Sequence, residues 1–415
     1  MNENTTKQAK KIDSRTDTIP NNCIWYESAN GKIVEPHYCS AFDANIVSNT
    51  YKDGNGVIVF DKDITEIDNF AFKGCTSLTS VAIPGSVTKI GNSAFYGCTG
   101  LTNITLPDSV TEIGIWAFYG CTGLTSVTIP DSVKEIGRFA FWDCADLISV
   151  TISDSVTLID ERTFCGCKSL TSVKIPGSVT KIGNSAFYCC TSLTSVTLPD
   201  SVTEIGGSVF CDCISLASIT IPDGVTSIGW SAFEGCAGLT GFYGKFASDD
   251  NRCLVVNGGL HSFAPNGLTE YIIPDSVTKI GDSAFSGCVG LTSVTIPDSV
   301  TEIGEKAFCG CTRLMSVTIP DSVTEIDETA FRYCTSLTSI TIPDSVTEIG
   351  VLAFKGCTSL MSIYCKSTIP QTLSEDVFDN IATDAKIYVP RASVSAYKTA
   401  DGWKDYASQI EGCDF

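Results

Sequence analysis

The sequence predicts a repeat solenoid, and three observations carry that prediction. One 23-residue phrase recurs: "IPDSVTEIGEKAFCGCTRLMSVT" at residues 296–318 runs straight into "IPDSVTEIDETAFRYCTSLTSIT" and then "IPDSVTEIGVLAFKGCTSLMSI". The cysteines keep the same step. Cys75, Cys98, Cys121, Cys144, Cys167, Cys190, Cys213 and Cys236 lie 23 apart, and after a longer gap Cys288, Cys311, Cys334 and Cys357 do so again. Each follows a Phe by three residues, from Phe72 to Phe354, which makes twelve units. Finally, one unit holds too many apolar side chains to bury alone, so neighbouring units must stack and share a core.

Each piece of the unit has its own reason. "LTSVTIP" (291–297) alternates at its Val-x-Ile end, which is a strand signal. Pro-Asp-Ser turns the chain, because Pro presets φ and Asp is expected to bond its own backbone. "VTEI" is a second short extended piece, and Gly304 turns again. "EKAFCGC" is too short for a regular helix and fits one helical turn, with Phe308 pointing inward.

The chain divides around these units. Residues 1–20 read as a disordered tail. Residues 21–63 read as an N-terminal β cap, with short strands around Asn-Gly and Gly-Asn-Gly turns. A cap is needed because an open solenoid leaves an apolar edge that recruits other chains. The repeats occupy residues 64–363, interrupted at about 240–267 by 29 extra residues in which "CLVVNGGLHSF" reads as a hairpin. Residues 364–415 form a C-terminal cap, with one degenerate unit and a helical end carrying Tyr397, Trp403 and Tyr406. A longer period also appears. Residues 78–114 and 170–206 match at 32 of 37 positions and lie 92 apart, four units of 23. That duplication favours a scaffold tolerant of length over an enzyme built around one fixed geometry.

Composition narrows the function. The 415 residues are 43% hydrophobic, enough for a large core, and the fixed period replaces the two or three domains that length alone suggests. A net charge of −20 repels phosphate backbones and anionic lipid, so no nucleic-acid partner is expected. No run approaches the roughly 18 apolar residues of a membrane span, so no membrane insertion is expected. The first residues, "MNENTTKQAKKIDSRTDTIPNN", have no apolar segment of signal-peptide type. A cytosolic protein, or one whose targeting segment has been removed, is the expectation from that end.

The motif L-T-S-V-T-I-P-D-S-V-T-E-I-G-x-x-A-F-x-G-C resembles the BspA-like leucine-rich repeat proteins across roughly residues 64–363. The end, "AKIYVPRASVSAYKTADGWKDYASQI", is similar to the terminal segment of that family in anaerobic gut bacteria. The resemblance implies a leucine-rich-repeat right-handed superhelix without catalytic residues. It implies a cell-surface or secreted adhesion protein whose partner is a host matrix protein, another surface protein or a glycan. The polar N-terminus keeps a cytoplasmic location as the alternative.

The twelve repeat cysteines sit beside an inward Phe and read as buried, reduced thiols. Cys23 and Cys39 flank a cap hairpin and are the pair best placed for a disulfide. The C-x-C pairs at Cys165/Cys167, Cys211/Cys213 and Cys309/Cys311 lie too far apart for a four-thiolate zinc site, so no metal or other cofactor is expected. His37 and His261, the only histidines, have no triad or ligand spacing, so no enzyme activity is expected. Asp fills the turn position in nine units, and Glu112, Glu135, Glu204, Glu302, Glu325 and Glu348 alternate with Lys89, Lys181 and Lys279 four residues on. These columns read as a solvated face, with a weak calcium or cationic-partner surface near the last three units as the sharper reading. In pairs such as Ser126/Thr128 and Ser293/Thr295 the side chains flanking Val are expected to point away from the core and line the inner sheet. The insertion concentrates Phe242, Tyr243, Phe246, Arg252, His261, Phe263 and Tyr271, and aromatics with Arg are the usual interface anchors. These seven are the candidate partner-binding residues, with a private hairpin core as the plainer reading. A monomeric binding protein is the favoured function, and a spacer whose length matters more than its face is the alternative.

Overall fold

The structure is a computed structural model that describes residues 19–38 and 40–415. Most of the expected tail, and Cys39 of the expected disulfide, lie outside the described residues. The chain forms two compact units, one reaching through Ser215 and including Pro222–Gly229, the other made of Leu216–Ile221 and Trp230–Phe415. Each is a stack of coils with the 23-residue step.

A coil of the second unit shows the construction. Ser293–Thr295 is a three-residue strand, paired in parallel with Glu270–Ile272 before it and Ser316–Thr318 after it. The register is one whole unit, Val294 opposite Val317. A turn follows, closed by the Val300 N–H to the Pro297 carbonyl at 3.1 Å. Glu302–Ile303 then forms a second, two-residue ladder between Lys279–Ile280 and Glu325–Ile326. Alternation puts Val294 and Ile303 into the core and Thr295 outside.

The third side differs from the single helical turn that the sequence suggested. Residues 304–311 are linked turns, with the Ala307 N–H on Gly304 O and the Cys311 N–H on Phe308 O, both at 3.2 Å. Two left-handed residues per coil prevent a helix. Lys306 has φ 56°, Thr329 φ 55° and Leu352 φ 59°; four residues later come Gly310 at 71°, Tyr333 at 61° and Gly356 at 76°. Glycine accepts this conformation freely, whereas the other side chains hold it at a cost of about 1–2 kcal/mol each. Bonds to the next coil over-determine it: the N–H groups of Lys306, Phe308 and Gly310 donate to Glu328, Ala330 and Arg332 at 2.7–3.0 Å.

The core is built of columns. Phe285, Phe308, Phe331 and Phe354 are fully buried and stack with centroids 4.9, 5.1 and 5.2 Å apart. In the first unit Phe72, Phe95, Phe118 and Phe141 repeat the pattern at 5.1–5.2 Å. The repeat cysteines are more than small hydrophobes. The Cys311 thiol donates to Phe285 O at 3.1 Å, Cys334 to Phe308 O at 3.2 Å and Cys357 to Phe331 O at 3.1 Å. Cys98, Cys121, Cys144, Cys167 and Cys190 do the same to Phe carbonyls 26 residues earlier. Each of these carbonyls already accepts a backbone N–H, Phe285 O from Cys288 at 3.1 Å, and the thiol supplies a second donor to its remaining lone pair. These thiols are free, and burial pushes the Cys311 thiol up to about 12.

The ends are built differently. Cys23–Ser28 pairs antiparallel with Asn55–Phe60, which pairs with Ile46–Lys52 through a turn at Asp53 and Gly54, both at positive φ. Cys23–Ser28 also pairs antiparallel with Leu78–Ala82, so it covers the edge of the first repeat strand. At the other end Ile410–Cys413 lies parallel to Lys386–Pro390. Helix Val394–Thr399 and the 3-10 turn Trp403–Tyr406 carry Tyr397 and Trp403, fully buried, with the Trp403 indole N–H on Gln371 O at 2.8 Å and the Tyr397 hydroxyl on Gln371 Oε1 at 2.9 Å.

Candidate interaction surfaces

Hydroxyl groups run along each unit in several columns, and most are consumed by the fold. Thr301, Thr324 and Thr347 each donate to the backbone carbonyl of the Thr one coil earlier, at 3.3 Å. Thr102 and Thr292 do likewise on a second column at 3.0 and 2.9 Å. Ser299 and Ser322 donate to Val277 O and Val300 O at 2.7 and 2.6 Å. The strand face is the exception. Ser126, Thr128, Ser149, Thr151, Ser195 and Thr197 are exposed, as are Ser316 and Thr318, and among the described residues no side-chain bond engages them. This face offers donors and acceptors that the fold does not need.

The turn carboxylates also behave differently from expectation. The backbone bond from Val133 to Pro130 O closes the turn at 3.0 Å, and Ser132 reaches Val110 O at 2.5 Å, while Asp131 bonds neither. In the next column Lys89 pairs with Glu112 at 3.5 Å, Lys181 with Glu204 at 2.8 Å and Lys279 with Glu302 at 2.5 Å. Glu302, Glu325 and Glu348 then stand directly opposite one another. Among the described residues no three His, Cys, Asp or Glu side chains converge to hold a metal ion.

The insertion is tied into the second unit. Cys253–Val256 and Gly259–Phe263 form a hairpin whose turn, Asn257–Gly258, has φ of 51° and 82°. Its second strand joins the two-residue ladder, with Leu260 opposite Ile280. Of the seven candidate residues, Phe242, His261, Phe263 and Tyr271 are buried. Phe263 packs on Tyr271 and Phe285 with centroids 4.6 and 4.7 Å away. His261 stacks on Trp230 at 5.9 Å and has its Nδ1 3.0 Å from Ser262 Oγ. Half-buried Arg252 donates from Nη1 to Ala264 O at 3.2 Å and Asn266 O at 3.0 Å, which fixes the hairpin's exit. The Tyr271 hydroxyl donates to Asp250 at 3.0 Å and lies 3.1 Å from Cys253 Sγ. Burial pushes the Asp250 carboxyl up, but bonds from Ser248, Arg252 and Tyr271 outweigh it and hold the group below its usual value.

Two of the seven remain near the surface. Tyr243 is 43% exposed and Phe246 is half-buried, with Lys245 over its ring at 5.0 Å. Ile272, absent from the sequence-based set, is 73% exposed. Its signal was present: "EYI" aligned on "SVT" sets Ile272 in the outward Thr column, opposite Thr295. Tyr243 holds the same column opposite Thr220. A hollow of about 370 Å³ beside the hairpin is lined by Pro265, Leu268, Val289 and Arg313.

Parallel ladders one unit apart and a leucine-bearing 23-residue step define a leucine-rich repeat protein. The model of the BspA type leucine-rich repeat region matches residues 45–168, 134–247 and 259–383, and the chain belongs to that family. Among solved structures it is similar to a leucine-rich cell surface protein from Faecalibacterium prausnitzii, at 32% identity over 89% of this chain and 90% of that one, TM-score 0.64. A leucine-rich repeat protein from Bacteroides ovatus is 30% identical over 82% of this chain and 89% of its own, TM-score 0.53. The pneumococcal vaccine antigen PcpA shares the fold at 17% identity, with 92% of this chain and 97% of that one covered and a TM-score of 0.58. No curated protein matches significantly. Among the described residues no helix is long and apolar enough to cross a membrane.

Proposed function

We propose that the protein is a non-catalytic binding protein of the cell surface, which presents its strand face and the insertion beside it to a protein or glycan partner. One observation carries the reading. Along the outward column the residue type changes from hydroxyl to Tyr243 and Ile272 where the insertion interrupts the coils. Hydroxyls adapt to many partners but anchor none, whereas exposed large side chains supply the anchors. The surface location rests on the similarity to the F. prausnitzii cell surface protein.

The test is binding to a panel of immobilised matrix proteins and glycans, with Tyr243→Ser and Ile272→Thr together. Both sites are exposed and both changes put a hydroxyl residue where the neighbouring coils have one, so folding is expected to be untouched. Hot-spot truncations of about 2 kcal/mol correspond to roughly 30-fold weaker binding. A folded double variant that binds its partner as tightly as the parent removes the insertion from the reading. The near-identical blocks at 78–114 and 170–206 favour a second reading, a spacer selected for length. Excising four coils leaves binding intact for the first reading and changes function for the second.

A further inference from the structure

The first unit carries another irregularity, and the repeats themselves serve as its reference. Where flanking coils have Pro130 and Pro176, the coil between has Ser153; where strand neighbours have Thr151 and Thr197, the next coil has Lys174. The strand ladder also breaks here, as it does between Asn103–Thr105 and Ser126–Thr128 and between Ser195–Thr197 and Ser218–Ile221. Ser149–Thr151 pairs with Ser126–Thr128, while Ser172–Lys174 pairs onward with Ser195–Thr197. Val150 is only half-buried, whereas Val127 and Val173 are each 4% exposed. An open hollow of about 520 Å³ lies over these coils, inside the roughly 300–1,000 Å³ typical of small-ligand sites.

Its polar lining is Asp108, Asp131, Asp154, Thr128, Thr151 and Lys174. All six are exposed, and among the described residues no hydrogen bond or ion pair engages the three carboxylates. The ring carbons of Pro130 and Pro176 and the side chain of Ile152 supply an apolar floor. A cationic ligand meets Lys174, and no three carboxylates converge on a metal position. An anionic ligand meets three carboxylates. A neutral ring bearing several hydroxyls meets neither repulsion. Its adjacent hydroxyls donate to carboxylate oxygens, its oxygens accept from the Lys174 ammonium, and its C–H face lies on the prolines.

We propose that this cavity binds one neutral saccharide unit of a glycan. The proposal deepens the binding reading above and rests on it. The experiment is saturation-transfer NMR on the full chain with glucose, galactose and mannose, and with glucuronic acid, glucosamine and calcium ion as charged probes. At least one neutral hexose is expected to bind saturably, at or below roughly tens of millimolar, ahead of its charged analogues. Asp131→Asn with Asp154→Asn is expected to weaken it by about tenfold or more, since bonds to charged groups are the stronger ones. Lys174→Thr, which restores the repeat's residue, is expected to weaken it severalfold. Absence of any saturable neutral hexose, preference for a charged probe, or unchanged affinity in the folded double Asp variant each overturns the proposal. Tyr243→Ser with Ile272→Thr leaves this cavity intact. Loss of partner binding in that variant alone therefore sustains the strand-face reading even if the saccharide site fails.

Discussion

A regular coil and the interrupted coil solve the same problem with different means. In a regular coil every important contact is made with the equivalent residue one unit away: Phe308 stacks on Phe285 and Phe331, and Cys311 donates to Phe285 O. In the insertion the contacts are private. Arg252, Asp250, Cys253 and Tyr271 bond to one another or to nearby carbonyls, while Leu260, Phe263 and the Tyr271 ring hand the core on to the next coil. Shared contacts make a coil replaceable by its neighbour's sequence. Private contacts make the insertion a fixed shape, which suits it to displaying Tyr243 and Ile272.

The largest expected effect breaks a shared column. Phe308→Ala removes a fully buried ring and is expected to cost about 3–5 kcal/mol. Because coils depend on neighbours, hydrogen exchange should rise around Cys311 and Cys334 before the N-terminal strands change. Tyr271→Phe breaks the private network instead, leaving Asp250 and Cys253 short of a partner at an expected cost of about 1–3 kcal/mol. Its exchange signature should stay within the hairpin, and spread along the second unit would show that the insertion is less self-contained than its bonds indicate.

The same network has a pH signature. Asp250 is held below its usual value in the folded state, so its contribution is present above the unfolded carboxylate range near 4 and is lost as pH falls through the folded value. Hairpin protection should therefore weaken on acidification below about pH 4 more than protection of the Phe column does. Gly310→Ala places a side chain at φ 71° without any close contact, so strain alone should cost about 1–2 kcal/mol. Cys311→Ala removes the thiol donor from Phe285 O and is expected to cost about 1 kcal/mol. In the parent, thiol reagents should label Cys311 slowly until denaturant is added, since its thiolate is suppressed. Fast labelling in the folded protein would falsify the buried column.

The 23-residue period made the ladders, the Phe column and the buried thiols legible, because each is a statement about spacing. What spacing cannot show is a bond partner or a backbone sign. The role of Cys311 as a donor depends on a carbonyl 26 residues earlier, a separation that only coil stacking makes short. The helical turn was misread because Lys306, Thr329 and Leu352 take positive φ without a glycine to announce it. At the insertion, aromatic content pointed to anchors, but Tyr271 takes the inward strand position that Val294 holds in the next coil, and Phe263 packs between it and Phe285, so both face the core. Ile272 was hidden for the converse reason, an apolar side chain in a column that Thr fills in most coils.

The in-register pairing of like with like has a last consequence. Ile303 faces Ile326 and Ile326 faces Ile349, so a chain segment displaced by one whole unit finds nearly the same partners. Slippage of 23 or 92 residues is thus weakly penalised during folding, and only marks that do not repeat can tell the chain where it is. Ser153 with Lys174, and the hairpin at Cys253–Phe263, are such marks: fiducials that lift the translational degeneracy of an otherwise self-similar sequence.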